Sequence, residues 1–187
     1  MSEQGLQNYI RVYDNALEAG FCEQIIAHFE RMTELQRPNG KGIRPGLDNS
    51  AWTEMNIGAL ADKAFLGFFL AQMDKYLGQY NQEVPLTIPV PIRPKTDRLT
   101  LKRYRPHADK FEPHFDSIDD YAGRYMVFLW YLNSVEEGGE TEFCDLGVRV
   151  APRTGRLLMF PPYWMFQHAG RPPISGDKYI LSTYLMF

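Results

Sequence analysis

The amino-acid sequence predicts a mainly β protein in which N-terminal helices support one face of an antiparallel double sheet. Two segments in the first half repeat their apolar residues at intervals of about 3.6, which is typical of amphipathic helices. The second half consists of short apolar or alternating runs separated by turn residues, which is typical of strands. Because the helices precede the strands, we expect a jelly-roll or cupin-like core, a double-stranded β-helix, with flanking helices.

The first half of the chain is predicted to contain a short strand, the two helices and a long loop. Residues 9–13 form the strand, and an Asp-Asn turn follows them. Helical spacing of apolar residues runs through residues 17–32 and again through residues 59–80. Residues 36–50 are rich in Gly, Pro and Asn and have no apolar period, so they predict a long irregular loop. Loops of this length in compact domains are often lids or binding loops.

The predicted strands of the core follow a proline-rich passage at residues 85–94. Apolar and β-branched residues dominate these strands, and turn residues such as Gly, Pro, Asn and Asp separate them. They comprise residues 99–104, 112–116, 125–132, 141–143, 147–150, 155–160 and 179–187. We therefore expect the β core to occupy residues 95–187, and the supporting strand, helices and loop to occupy residues 1–94.

The size and composition of the chain predict one globular domain. Its 187 residues, of which 44% are hydrophobic and 23% charged, suffice for one well-buried core but are few for two. We expect a single domain over residues 1–187. The sequence has no leader pattern and no apolar run long enough to cross a bilayer, so we expect a cytoplasmic protein without a membrane partner. The oligomeric state is left open.

Charge and cysteine content argue against two broad classes of function. The net charge of -3 disfavours general affinity for nucleic acid. A basic stretch does occur at residues 93–110; it could flank an acidic substrate, but a solvated surface is the favoured interpretation. Cys22 and Cys144 are far apart in the sequence, so they predict neither a disulfide framework nor a zinc cluster.

A His-x-Asp pair is the first sign of a metal site. His114 and Asp116 lie two residues apart in a predicted strand, where residues i and i+2 point to the same face. Three-residue patterns arise by chance, so the pair requires a third ligand. His168 is the natural candidate because it lies just after the predicted strand at residues 155–160 and near the final hairpin. Two imidazoles and one carboxylate leave coordination positions open, which suits non-haem iron(II).

A lysine near the last strand is the candidate anchor for an anionic cosubstrate. Lys178 follows His168 by ten residues and comes directly after a Gly-Asp turn, so the chain could return beside the histidine as a hairpin. An ammonium group that faces a barrel interior is costly to bury without an anionic partner, so it would imply a carboxylate ligand. The alternative is an exposed lysine on a turn.

Five motifs occur in order and together point to a family. They are LKRY at 101–104 with His114-Phe115-Asp116, Arg124 with FLWYLN at 128–133, EGGETEF at 137–143, GRLLMFP at 155–161, and His168 with GDKY at 176–179. In this order they resemble the 2-oxoglutarate- and Fe(II)-dependent oxygenases of the prolyl 4-hydroxylase type. The resemblance covers nearly the whole chain, and a lysine instead of an arginine at position 178 favours the prolyl 4-hydroxylase branch.

The resemblance implies a role for each matching residue. The implied iron ligands, which form the catalytic centre, are His114, Asp116 and His168. Lys178 would pair with the C5 carboxylate of 2-oxoglutarate, and Tyr104 and Thr141 would donate hydrogen bonds to the same cosubstrate. A packed aromatic and a plain strand residue are the alternatives for these last two. The implied cofactors are Fe(II), 2-oxoglutarate and O2, with ascorbate as a candidate reductant.

Three further features of the motif region are left open by the sequence. Arg124 is either structural or substrate-facing. His107 stands in a proline-broken loop where the family commonly has a glycine, and we interpret it as solvent-exposed or substrate-side rather than as a ligand. The aromatic run at residues 162–166 belongs either to the core or to the wall of a substrate cavity.

The implied reaction is hydroxylation of a C–H bond, and a prolyl residue of a peptide or protein is the leading substrate. The loop at residues 36–50 is a candidate clamp over such a peptide. A free amino acid or another small metabolite is an alternative substrate. The basic stretch at 93–110 raises a nucleic-acid demethylase, which the acidic net charge and Lys178 disfavour. A non-catalytic jelly-roll binding module would require the metal motif to be accidental, and five ordered motifs argue against this.

Overall fold

The computed structural model describes residues 5–41, 48–91 and 95–187. Its helices are α1 (Ala19–Arg31) and α2 (Lys63–Glu83), with short 3-10 turns at Leu6–Tyr9, Thr33–Leu35, Ile57–Ala59, Asp119–Tyr121 and Trp164–Phe166. Its strands are β1 (Arg11–Tyr13), β2 (Arg37–Gly40), β3 (Ala51–Asn56), β4 (Lys95–Thr96), β5 (Thr100–Tyr104), β6 (Phe111–His114), β7 (Arg124–Tyr131), β8 (Thr141–Phe143), β9 (Val148–Val150), β10 (Leu157–Phe160), β11 (His168–Gly170) and β12 (Lys178–Met186).

The strands form two antiparallel sheets. The larger sheet has the order β1-β10-β7-β12-β5-β3-β2, with β4 paired to β12, and the smaller sheet has the order β6-β11-β8-β9. Side chains from both sheets, such as Tyr104 and Leu129 of the larger and Phe143 of the smaller, belong to one buried cluster. The predicted mainly β fold with an antiparallel double sheet is therefore confirmed.

The two helices cover the outer face of the larger sheet. Phe29 of α1 and Phe69 of α2 belong to the same buried cluster as Trp130 of β7 and Leu181 of β12. Each large apolar side chain buried in this way contributes about 1.5–3 kcal/mol to folding. Helix α2 begins where Asp62 caps it, because the carboxylate of Asp62 accepts the backbone N–H of Phe65 at 2.8 Å.

The prediction of one long irregular loop at residues 36–50 is partly wrong. Arg37–Gly40 forms β2, which pairs with β3 (Ala51–Asn56) in an antiparallel register. The sequence of β2, RPNG, has no strand signature, so its conformation comes from pairing with a partner strand and not from local propensity. Residues 42–47 of the predicted loop lie outside the described residues.

Strand β7 is buried on both faces. Its outward residues contact the helices, and its inward residues face the smaller sheet. A strand that is buried on both faces is usually a continuous run of apolar residues, and the sequence YMVFLWY of β7 is such a run.

Within the described part of the chain, neither helix combines the length and apolar character required to cross a bilayer.

Candidate active site

Three side chains that could hold a metal ion converge in a cavity between the two sheets. Ligand atoms of His114, Asp116 and His168 all lie within 4.8 Å of one another. The Nε2 atom of His114 is 3.5 Å from one carboxylate oxygen of Asp116, and Nε2 of His168 is 3.4 Å from the other. The three groups are therefore close enough to share a single metal ion.

The pairing of two strands brings the histidines together. His114 is the last residue of β6 and His168 is the first residue of β11, and they are direct partners in the antiparallel register. Their ring centroids are 4.3 Å apart. Sequence reasoning joined His168 to the His-x-Asp motif, but it did not identify β11 as the strand that carries it.

Asp116 reaches the histidines by a route that differs from the predicted one. We predicted a strand over residues 112–116, in which His114 and Asp116 would share a face, but β6 ends at His114. The segment after β6 is instead held by Pro162, whose carbonyl accepts the backbone N–H groups of Asp116 and Ser117 at 3.0 Å each. A contact with a distant loop, and not strand alternation, positions the carboxylate.

Backbone carbonyls determine which nitrogen of each histidine is free. Nδ1 of His114 lies 2.7 Å from the carbonyl oxygen of Glu112, and Nδ1 of His168 lies 3.0 Å from that of Phe166. A carbonyl oxygen can only accept, so each Nδ1 carries the hydrogen and each Nε2 presents a lone pair. Two such lone pairs and one carboxylate are the donor set of a facial triad for non-haem Fe(II), so these residues fit that metal.

Burial and charge keep Asp116 and His168 in metal-binding protonation states. Burial, assisted by the neighbouring His114, lowers the pKa of His168 to about 4. Burial by itself would raise the pKa of Asp116, but the adjacent His114 and His168 outweigh it and hold this pKa well below its usual value. At neutral pH the cavity therefore contains a neutral His168 and an ionised Asp116, the forms that bind metal ions.

A buried lysine lines the same cavity. Lys178 begins β12 and is 2% exposed. Its ammonium nitrogen lies 5.1 Å from the ring centroid of Tyr104 and 5.8 Å from that of Tyr131. Burial lowers the pKa of Lys178 to about 7. No carboxylate among the described residues forms an ion pair with this ammonium, so the cavity suits an anionic ligand.

A comparison with known proteins finds a family model that matches the second half of the chain. Residues 99–186 match the family model described as the 2OG-Fe(II) oxygenase superfamily. This match to a 2OG-Fe(II) oxygenase domain covers slightly less than half of the chain. The resemblance predicted from the sequence is therefore confirmed, and the family implies Fe(II), 2-oxoglutarate and O2 as cofactors.

Relatives of this oxygenase domain are named as prolyl 4-hydroxylases. Probable prolyl 4-hydroxylase 11 of Arabidopsis thaliana is 38% identical over 88 residues, covering 42% of this chain and 30% of the relative. Probable prolyl 4-hydroxylase 3 of the same plant is 26% identical over 213 residues, covering 93% of this chain and 68% of the relative. The first match thus spans less than a third of that relative's own length.

A solved structure shares the fold of this chain. It is a prolyl hydroxylase of Trichoplax adhaerens in complex with a peptide fragment of the hypoxia inducible factor oxygen degradation domain, and its TM-score is 0.74. The match covers 96% of this chain and 84% of that chain at 15% sequence identity. The predicted jelly-roll core is therefore confirmed.

The residues assigned to the cosubstrate also line the cavity of the oxygenase domain. Tyr104 is buried on β5 and lies opposite Lys178 in the strand register. Thr141 begins β8, and its Oγ1 accepts a hydrogen bond from the Tyr131 hydroxyl at 2.7 Å. Sequence reasoning missed Tyr131, although alternation along β7 puts it on the same inner face as Val127.

Three further polar residues of the cavity were missed by the sequence reasoning. They are Lys102, Ser182 and Tyr184. The ammonium of Lys102 lies 5.6 Å from the ring centroid of Trp52. The hydroxyl of Ser182 is buried and has no hydrogen-bond partner among the described residues. Alternation along β5 and β12 is the signal that could have found them, because each lies an even number of residues from Tyr104 or Lys178.

Other residues singled out by the sequence are divided between core and surface. His107 is exposed in the loop after β5 and is not part of the metal-ligating group. Phe166 is buried in the core, whereas Trp164 is 65% exposed. The aromatic run at 162–166 therefore lies partly in the core and partly on the surface. Arg124 pairs with Asp97 and is not among the described residues that line the cavity.

Proposed function

We propose that this chain is an Fe(II)- and 2-oxoglutarate-dependent dioxygenase that hydroxylates a C–H bond of a prolyl residue in a peptide or protein. One observation carries the proposal. The Nε2 atoms of His114 and His168 and the carboxylate of Asp116 converge in a cavity that also contains a buried lysine without an ion-pair partner among the described residues. A metal site and an anion site therefore share one cavity.

In this proposal His114, Asp116 and His168 hold Fe(II). Bound Fe(II), with 2-oxoglutarate and O2, supplies the oxidation in which one oxygen atom enters a substrate C–H bond and the other enters succinate, with release of CO2. The carbonyls of Glu112 and Phe166 keep the two imidazoles in the tautomer that presents Nε2. Apolar side chains from strands β10 and β12, Phe160 and Ile180, line the same cavity beside these residues.

Lys178 binds the C5 carboxylate of 2-oxoglutarate in this proposal. Its pKa of about 7 reflects the cost of burying an ammonium group. A carboxylate beside Nζ removes much of that cost, raises the pKa again and keeps the proton on the lysine. The charge-assisted contact then orients the cosubstrate relative to the three ligands.

Tyr104 and Thr141 complete the cosubstrate site as hydrogen-bond donors. The Thr141 hydroxyl already accepts a hydrogen bond from Tyr131, so its own proton remains available for a second partner. Tyr104 lies opposite Lys178 and lines the same cavity. Tyr131 therefore acts as the group that orients Thr141.

The choice of a prolyl residue as substrate rests on the relatives. The matching curated proteins are named as prolyl 4-hydroxylases, and the Trichoplax prolyl hydroxylase was solved with a peptide. An extended peptide can also spread its binding energy over groups remote from the reacting carbon, which a free amino acid cannot do. We therefore expect peptides to be better substrates than free proline.

A first experiment tests the cofactor site alone. Fe(II) and 2-oxoglutarate are added to the purified chain without O2, and the visible absorption spectrum is recorded. We expect a weak band that requires both additions. Absence of this band, together with absence of Fe(II) binding, would favour a non-catalytic binding module.

A second experiment tests the substrate. Proline-rich peptides, free amino acids and single-stranded oligonucleotides are supplied in parallel with Fe(II), 2-oxoglutarate, O2 and ascorbate. Substrate-dependent succinate and a mass gain of one oxygen, or loss of a methyl group, are measured. We expect only the peptides to stimulate succinate formation. Stimulation by amino acids or oligonucleotides and not by peptides would overturn the prolyl assignment.

A further inference from the structure

We propose that Arg124 is a positioning residue that holds Asp116 in place, and that it does not contact substrate. The inference rests on the proposed metal site, because it assigns Arg124 a role through one of the metal ligands. Four contacts carry it: two aromatic rings, one carboxylate and one backbone carbonyl surround the guanidinium group.

Two aromatic rings pack against the guanidinium group. Its central carbon lies 3.7 Å from the ring centroid of Tyr184 and 4.0 Å from that of Tyr121. The side chain of Arg124 is only 12% exposed. Stacking of this kind is favourable for a planar cation and is available to arginine but not in the same form to lysine. These two rings and the low exposure leave little of this side chain accessible to a substrate.

Asp97 fixes the edge of the guanidinium group. One oxygen of Asp97 accepts from Nε of Arg124 at 2.9 Å and from Nη2 at 2.5 Å, and the Asp97 side chain is 14% exposed. Burial alone would raise the pKa of Asp97, but its hydrogen bonds from Arg124 outweigh burial and lower this pKa. The charge of Arg124 is thus neutralised by a protein carboxylate, which leaves little attraction for an anionic ligand.

Asp97 is itself held by the central strand of the larger sheet. Its backbone N–H donates to the carbonyl of Tyr184 at 3.0 Å, and the Thr183 hydroxyl donates to the Asp97 carbonyl at 2.9 Å. Both partners belong to β12, which pairs with β7, β5 and β4. The Asp97–Arg124 pair is therefore attached to a strand that is hydrogen-bonded to neighbours on both sides.

The other end of the guanidinium group reaches the metal ligand. Nη1 of Arg124 donates to the backbone oxygen of Asp116 at 3.4 Å, while the backbone N–H of Asp116 donates to Pro162. Asp116 lies beyond the end of β6, so no strand ladder fixes its backbone. Pro162 instead holds the backbone N–H of Asp116, and Arg124 holds its backbone oxygen. The Tyr184 ring, which packs on Arg124, also lines the cavity with Asp116.

This arrangement has a consequence for metal affinity. Partners that orient a metal ligand typically change metal affinity by about ten- to hundredfold when they are removed. The variant Arg124→Lys keeps the positive charge but loses the two-nitrogen contact with Asp97 and the stacking between the rings. We expect it to bind metal more weakly while it keeps the fold.

The experiment measures Mn(II) dissociation by electron paramagnetic resonance and thermal unfolding for three proteins. They are the natural chain, Arg124→Lys and the control Arg156→Lys. Arg156 is a matched control because it is 11% exposed, contacts Asp14 through Nε at 2.6 Å and Nη2 at 3.1 Å, and donates to the carbonyl of Ala151, yet it does not line the metal cavity.

We expect Arg124→Lys to raise the Mn(II) dissociation constant by about ten- to hundredfold, and Arg156→Lys to leave it unchanged. Similar losses of affinity in both variants would reduce Arg124 to a general structural residue and overturn the inference. An unchanged Mn(II) constant combined with a raised KM for peptide would make Arg124 a substrate contact, which also overturns it.

A second variant covers the case in which Arg124→Lys does not fold. Asp97→Asn keeps the backbone contacts of Asp97 with β12 but removes the charge that fixes the guanidinium group, so it should also raise the Mn(II) constant. Unchanged affinity in this variant would count against the inference. Failure of the natural chain to bind Mn(II) would overturn the proposed function itself, whereas equal binding by the natural and variant chains would overturn only the role of Arg124.

Discussion

The two faces of the larger sheet differ in chemistry although the same strands form both. On β12, Tyr179 and Leu181 point to the helices, whereas Lys178, Ser182 and Tyr184 point to the cavity. Alternation of side chains along a strand produces this division. The outer face is a hydrophobic cluster with α1 and α2, and the inner face contains polar groups beside the metal-ligating residues.

The inner face buries polar groups at a cost in free energy, whereas the outer face buries apolar side chains. Burial lowers the pKa of Lys178 to about 7, so the folded chain without a ligand disfavours the charged ammonium. The Ser182 hydroxyl is buried without a hydrogen-bond partner among the described residues. Substitutions on the outer face should therefore change the free energy of unfolding, and substitutions on the inner face should change ligand binding.

Loss of the carboxylate ligand should have the largest effect. We expect Asp116→Gly to abolish hydroxylation and to weaken iron retention, because it removes the only anionic member of the proposed triad, while the fold survives. Iron content and succinate formation are the measurements. The control is Asp119→Gly, an exposed residue with a φ of 49° where glycine is well tolerated. Natural turnover and iron content in Asp116→Gly would remove Asp116 from the ligand set.

A core residue on the outer face of β12 should affect stability next. Leu181→Ala is expected to lower the free energy of unfolding by about 2–5 kcal/mol, because Leu181 is fully buried between the sheet and the helices. The neighbouring Ser182→Ala is the matched control and should not destabilise, since its hydroxyl has no partner among the described residues to lose. Urea unfolding of both variants tests the difference, and equal losses would contradict the division between the faces.

The buried lysine should affect cosubstrate binding. We expect Lys178→Ala to raise the 2-oxoglutarate dissociation constant by about ten- to hundredfold, since a charge-assisted contact to a carboxylate is worth about 1.5–3 kcal/mol. Lys178→Arg should rescue binding only in part, because the geometry differs. Arg171→Ala, which removes a surface cation paired with Glu142, is the control. Titration calorimetry in the presence of Mn(II) measures each constant, and an unchanged value for Lys178→Ala would move the anchor elsewhere.

The pH dependence of 2-oxoglutarate binding should be the smallest effect. The carboxylate binds the protonated ammonium, and the pKa of the ligand-free Lys178 is about 7. Below pH 7 the proton is already present, so the dissociation constant should be flat. Above pH 7 binding must take up a proton, so the constant should rise by about tenfold per pH unit. Lys178→Arg should lose this dependence, because arginine stays protonated. A flat profile for the natural chain would contradict the proposed pairing.

Periodic segments were well predicted by the sequence. The helices expected at residues 17–32 and 59–80 occur as Ala19–Arg31 and Lys63–Glu83, and β7 and β12 lie within predicted strands apart from their end residues. Local hydrophobic spacing is enough for these elements, because each must bury one face or both. Strand β2 was missed because its residues have no strand preference and acquire their conformation by pairing with β3.

The sequence by itself determined the donor types, the His-x-Asp spacing and the presence of a lysine before the last strand. Only the tertiary structure decided how they meet. His114 and His168 face each other because β6 pairs with β11, and Asp116 is held by Pro162 and Arg124 from other parts of the chain. The lowered pKa of Lys178 likewise depends on burial by residues from several strands. Long-range hydrogen bonds and desolvation are properties of packing, so a linear pattern does not contain them.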